Sequence, residues 1–222
     1  MSWASSIEYY RFINQEVNRR LGGQHNAKSL MLTVDFAEIE SLQVRGDWDK
    51  LGEIMADAAR RLERGGADCV LIGANTMHRC APQIEEAVRI PLIHIADATA
   101  CAIKQEKLSA VGLLGTRYTM EGDFFRARLA ERHGITALIP PSEMRDKLHR
   151  LIYDELTKGI LTDASRGCFV EAIEWLQAEG AEGVILGCTE IPLLVKPEHA
   201  TIPLFDTTAI HARAAVDFAL SD

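Results

Sequence analysis

The sequence predicts an α/β protein built as two pseudo-symmetric domains, each with a mostly parallel sheet flanked by helices. Three observations carry this. The strand-like runs are continuously apolar rather than alternating, as strands covered on both faces must be. Longer segments with apolar residues at helical spacing separate them. The first half of the chain recurs in the second, so the two halves should fold alike.

Taken in order, the first half offers strands at 29–36 ("SLMLTVDF"), 69–75 ("CVLIGAN") and 91–96 ("PLIHIA"), with an amphipathic helix at 47–64. The second half offers strands at 109–116, 136–141, 183–189 and 202–207, with helices at 120–133, 142–158 and 164–179. Strands alternating with helices build parallel sheets covered on both faces, the Rossmann-like arrangement, and ligands bind beyond the carboxyl ends of such strands. The expected domains are 1–97 plus 207–222, and 98–206.

The repeat is explicit in three places. "GADCVLIGANT" (66–76) lies over "GAEGVILGCTE" (180–190) at an offset of 114, and "IPLIHIADATA" from Ile90 lies over "IPLFDTTAIHA" from Ile202 at 112. "SWASSIEYYRFIN" from Ser2 lies over "RYTMEGDFFRARL" from Arg117 at 115, pairing Phe124 and Phe125 with Tyr9 and Tyr10. The strand "LSAVGLLG" (108–115) precedes the second copy of that last motif and has no partner before Met1. A strand-length natural N-terminal segment is therefore expected to be missing.

Composition narrows the classes of function. With 47% hydrophobic and 25% charged residues, the 222-residue chain reads as a folded globular protein. A net charge of -8 without any Lys/Arg block argues against nucleic acid or an anionic membrane as the main partner. No apolar stretch reaches the roughly 18 residues of a membrane span, and the N-terminus lacks signal-peptide character, so the expected compartment is the cytoplasm. Five cysteines, without CxxC or HExxH spacing, indicate neither a disulfide framework nor a metal centre.

The chemistry centres on the repeated strand ends. Cys188 follows Gly187 and precedes Thr189 and Glu190; there, free amides of a following helix would lower its pKa and favour a thiolate, a nucleophile or a base. The first copy places Ala74 in that slot, followed by Asn75, Thr76 and His78. Asn75, Thr76 and turn amides suit a substrate carboxylate and amine, the alternative being that they cap the next helix. Thr116, in "GTRYT", suits a second carboxylate, again with helix capping as the alternative.

At this point a resemblance appears. "MSWASSIEYY", "VDFAEIE", "GDWDK", "ANTMH", "IPLIHIADAT", "LLGTRYTME" and "GCTEIPLLV", in order over essentially the whole chain, resemble the aspartate/glutamate racemase family of cofactor-independent amino-acid racemases. The resemblance implies an isomerase without pyridoxal phosphate or any other cofactor, a small amino-acid substrate, a homodimer, and an active site between the halves. It implies two cysteines on opposite faces of the substrate α-carbon, one removing the α-proton while the other delivers one. Cys188 matches one of them. Asn75, Thr76 and Thr189 carry over as substrate binders, and Gln43, Thr116, Lys147 and Met1 do so by position. Ala74 is the departure: the branch this chain resembles can carry Thr where others carry Cys, and Ala offers neither. The expected function is racemisation of aspartate, glutamate or a related amino acid, impaired or one-sided at Ala74. The alternatives are a single-thiol decarboxylase on the same scaffold, or a substrate-binding homologue without turnover.

Overall fold

The computed structural model describes residues 1–221. The chain forms two compact units, Met1–His94 together with the segment from His211 onward, and Ile95–Ile210.

The first unit is mostly helical. Helices α1 (Trp3–Leu21), α2 (Phe36–Arg45) and α3 (Trp48–Arg64) are followed by a 3-10 turn at Thr76–Cys80 and by α4 (Ala81–Ala87). Side chains cap each long helix: Ser2 accepts from the Ser5 amide, Asp35 from Ala37 and Asp47 from Lys50. Gly22 and Gly46, at φ 72° and 71°, end α1 and α2 in a conformation other residues rarely adopt. On α3 the buried residues Leu51, Met55 and Ala59 recur at helical spacing and pack into a core with Ile39, Ile72, Met77 and Ile84. A side chain at Gly52 would come within 2.9 Å of Gln83, so glycine there lets α3 and α4 pack closely.

Strand pairing in this unit differs from expectation. The runs 69–75 and 91–96 meet only at a single parallel bridge, Val70 with Leu92, and 29–36 forms no ladder, with Leu30 and Met31 exposed. In the second unit, by contrast, the run 110–115 is bonded on both sides. A strand without a neighbour at ladder spacing leaves its amides and carbonyls to water or to turns.

The second unit is the expected parallel sheet. Its elements are α5 (Ile95–Gln105), β1 (Ala110–Gly115), α6 (Arg117–Glu121), α7 (Asp123–His133), β2 (Thr136–Leu138), α8 (Ser142–Asp154), α9 (Asp163–Ala178), β3 (Val184–Gly187), α10 (Ile191–Leu194) and β4 (Leu204–Asp206). The strands lie in the order β2-β1-β3-β4, all parallel, with Gly112 opposite Val184 and Gly115 opposite Gly187. The predicted helix over 120–133 is interrupted because Gly122 is extended (φ -73°, ψ 135°), which separates α6 from α7. Helix α11 (Thr207–Ala219) follows β4 and carries the chain back to the first unit. Its first amides are capped by Asp206, which accepts from Thr208 and Ala209.

Alternate residues of each strand face opposite layers, which is why the runs are continuously apolar. Val111, Leu113, Ile185 and Phe205 pack with Ile103 of α5 and with Phe125 and Leu129 of α7. Leu114, Val184 and Leu186 pack with Leu148 and Ile152 of α8 and with Phe169, Ile173 and Leu176 of α9. Each fully buried Leu, Ile or Phe contributes about 1.5–3 kcal/mol relative to exposure. Arg128 of α7 forms a two-pronged ion pair with Asp97 of α5, which also meets His133, and so ties these two helices together.

Candidate active site

The carboxyl ends of β1 and β3 set the geometry in the second unit. A methyl at Gly187 would lie 2.8 Å from the Leu114 carbonyl oxygen, and one at Gly115 would lie 2.8 Å from the Gly187 carbonyl oxygen. Only glycine at both positions lets the two strands end this close together. Thr116 and Cys188 then leave adjacent strand ends.

Cys188, Thr189 and Glu190 are all buried. The Cys188 thiol donates to Glu190 Oε2 at 2.9 Å, and the Thr189 hydroxyl donates to the same oxygen at 2.6 Å. Burial pushes the Cys188 pKa well above its ordinary value, and the Glu190 charge and its bond to the thiol add to this. The backbone amides of Glu190 and Thr189 pull the other way and are outweighed. The turn's amides, expected to favour a thiolate, are outweighed by burial first and by the Glu190 carboxylate after it, so the surroundings favour the thiol. Sequence reading passed over Glu190, although a short spacing from the thiol was the available signal.

The other second-unit candidates behave differently. Thr116 caps α6, its side chain accepting from the Thr119 amide, so the capping role is realised there. Lys147 lies on α8 with a half-exposed side chain. It pairs with Glu171 of α9 at 3.8 Å.

In the first unit the chain leaves the Val70 bridge and turns tightly at Gly73 and Ala74, the Ala74 amide donating to the Ile72 carbonyl at 2.7 Å. Ala74 is half-buried and packs on the core of this unit, while Asn75 and Thr76 are buried. Asn75 stands at the start of the 3-10 turn, and its side chain does not cap that turn. Gln43 and Met1, distant in sequence, are brought to this turn: Gln43 Nε2 donates to Met77 Sδ at 3.2 Å, and the Met1 amino group donates to the Gly73 carbonyl.

Beneath the turn lies a buried cluster that sequence reading did not assemble. His78 Nδ1 bonds to the Ala74 carbonyl at 2.8 Å, and its ring packs against those of His94 and His211 at centroid distances of 4.6 and 5.4 Å. His211 Nε2 bonds to the Ile93 carbonyl at 2.7 Å, and Tyr9 meets His211 Nδ1 at 2.7 Å. More than a hundred residues separate His78 from His211, so no local pattern could have joined them.

Among the described residues no group of three or more His, Cys, Asp or Glu is arranged to hold a metal ion, and no helix is long and apolar enough to cross a membrane.

Comparison with known proteins agrees with the geometry. A family model described as Asp/Glu/hydantoin racemase matches residues 1–215. A crystal structure of a candidate Asp/Glu racemase from Yersinia pestis is 51% identical, with a TM-score of 0.93, covering 100% of this chain and 96% of that one. An aspartate racemase homologue from Pyrococcus horikoshii is 32% identical, with a TM-score of 0.83, covering 98% and 95%. The broad specificity amino-acid racemase RacX of Bacillus subtilis is 23% identical over 187 residues, 77% of this chain and 73% of RacX. The chain therefore belongs to the Asp/Glu/hydantoin racemase family of isomerases.

Proposed function

We propose that the chain is a cofactor-independent racemase of aspartate, glutamate or a related amino acid, with Cys188 as its principal acid/base. The observation that carries this reading is the buried Cys188–Glu190 pair at the end of β3 in a member of this family. A thiol bonded to a carboxylate can work in both directions. As an acid, Cys188 gives its proton to the α-carbanion and is left as thiolate. As a base, it first passes its proton to Glu190 Oε2, and the thiolate then takes the α-proton; the Thr189 hydroxyl, bonded to the same oxygen, steadies the carboxylate before the transfer. Asn75 and Thr76 bind the polar groups of the substrate, and Gln43 bonds to Met77, the residue after Thr76. Gln43, Thr116, Lys147 and Met1 are secondary candidates for binding.

Inversion needs an acid and a base on opposite faces of the α-carbon, and Ala74 supplies neither. On the Ala74 side the proton comes from water or from Thr76, which makes turnover slow or one-sided. A reading with a single thiol that protonates one face only, as in a decarboxylase, is favoured by the same alanine. The family resemblance also carries the reading of a homodimer, and the cytoplasm remains the compartment this reading expects.

The test is exchange of the α-proton in D2O with each enantiomer of aspartate and glutamate. Wild type is expected to exchange slowly and Cys188→Ala not at all, while Ala74→Cys should gain roughly 10²- to 10⁴-fold in inversion, with Ala74→Thr between. Exchange that survives Cys188→Ala removes the role given to the thiol. Exchange without inversion in wild type supports the one-base form.

A further inference from the structure

The imidazole cluster of the first unit plays no part in that reaction scheme, although it touches the turn the scheme uses. His78, His94 and His211 are all buried, and their rings are in contact. Carbonyl oxygens only accept, so Nδ1 of His78 and Nε2 of His211 both carry hydrogens, toward Ala74 and Ile93. Nδ1 of a neutral His211 then accepts from the Tyr9 hydroxyl. The tautomers are fixed by the backbone.

The titratable groups facing His78 are His94, just ahead of α5, and His211 of α11, with Tyr9 of α1 facing His211 in turn. On its own turn, Arg79 stacks on Trp48 of α3 and Cys80 is a buried thiol. None of these offers His78 a negative charge. An added proton would be confined among three desolvated rings.

We infer that His78 is a positioning residue for the first half-site: seated against His94 and the Tyr9–His211 pair, it fixes the Ala74 carbonyl and thereby the direction of Asn75 and Thr76, and protonating the cluster opens the turn. The inference rests on the proposed reading for its link to substrate, since Asn75 and Thr76 are binders only under that reading. Burial lowers the pKa of His78 well below 6.5 and that of His211 to about 4, the neighbouring rings adding to the effect on His78. In an opened turn the rings meet water and regain ordinary values. The closed form therefore binds fewer protons, and acid favours the open form as pH falls below about 6.5 and on toward 4.

The experiment has two arms on the full chain. In the first, hydrogen exchange of the peptide spanning residues 70–80 is followed from pH 7.5 to 4.5 and corrected for the intrinsic rate. Protection is expected to fall by up to about tenfold per pH unit below the ordinary imidazole value, ahead of the strands of the second unit. In the second arm, the KM for α-proton exchange of aspartate is measured over the same range in wild type, His78→Leu and His78→Asn. KM should rise in acid for wild type, with kcat changing less. His78→Leu should have a raised KM even at pH 7.5. His78→Asn, which keeps a donor for the Ala74 carbonyl but cannot be protonated, should recover binding at pH 7.5 and show a shallower acid rise. Constant protection of residues 70–80, or an acid rise of equal slope in His78→Asn, overturns the inference. If no amino acid exchanges at all, the proposed reaction fails, and the protection arm still decides the role of His78.

Discussion

Gly187→Ala tests whether the close approach of β1 and β3 sets the position of Cys188. The new methyl would sit 2.8 Å from the Leu114 carbonyl oxygen, 3.1 Å from Leu113 Cδ1 and 3.3 Å from Thr119 Cγ2. The first contact is backbone and cannot rotate aside. Ordinary contact begins at 3.4 Å, so the strands must part by about 0.6 Å, the difference between 3.4 and 2.8. Ladder hydrogen bonds near 2.9 Å weaken on such a stretch, and overpacking of this kind costs roughly 1–3 kcal/mol. Cys188, the next residue, moves with its strand. A misplacement of 1 Å can cost about a hundredfold in rate, so a loss of roughly tenfold in α-proton exchange is expected for half that shift. Urea unfolding gives the stability and D2O exchange gives the rate. Gly167→Ala serves as control: nothing lies within 4 Å of its added methyl, and in the interior of α9 it should gain about 0.5–1 kcal/mol. A Gly187→Ala protein as stable as its parent to within about 0.5 kcal/mol would refute the reasoning.

Two further perturbations probe the site and its support. Glu190→Gln removes the charge that helps hold the Cys188 proton while burial stays, so alkylation of Cys188 followed against pH by mass spectrometry should begin at lower pH than in wild type. An unchanged profile would show that burial alone raises the thiol. Phe169→Ala empties a fully buried site between α9 and β3 and should lower unfolding stability by about 3–5 kcal/mol in urea titration, whereas a loss under about 1 kcal/mol would contradict the packing described.

The parallel sheet was legible because its signal is local: β1 and β3 read as unbroken apolar runs, and each strand does bury both faces. The paired strand-end turns were legible because the repeat sets Gly187-Cys188 over Gly73-Ala74. The expected sheet of the first unit did not form as a ladder, since a strand pattern describes one segment while a ladder needs a neighbour, and the run 29–36 has none. The split of α6 from α7 turned on the backbone angles of Gly122, which hydrophobic spacing does not report.

By itself the sequence determined the fold class and the family and set the expected site at Ala74, Asn75, Thr76, Cys188 and Thr189, because periodicity, repetition and motif order are properties of contiguous residues. Only the tertiary structure set the burial and the Glu190 contact that favour the Cys188 thiol, and the company of His78. Charge state depends on desolvation and on which polar atoms face one another, and those are fixed when the chain closes, bringing Tyr9 and His211 together across 202 positions.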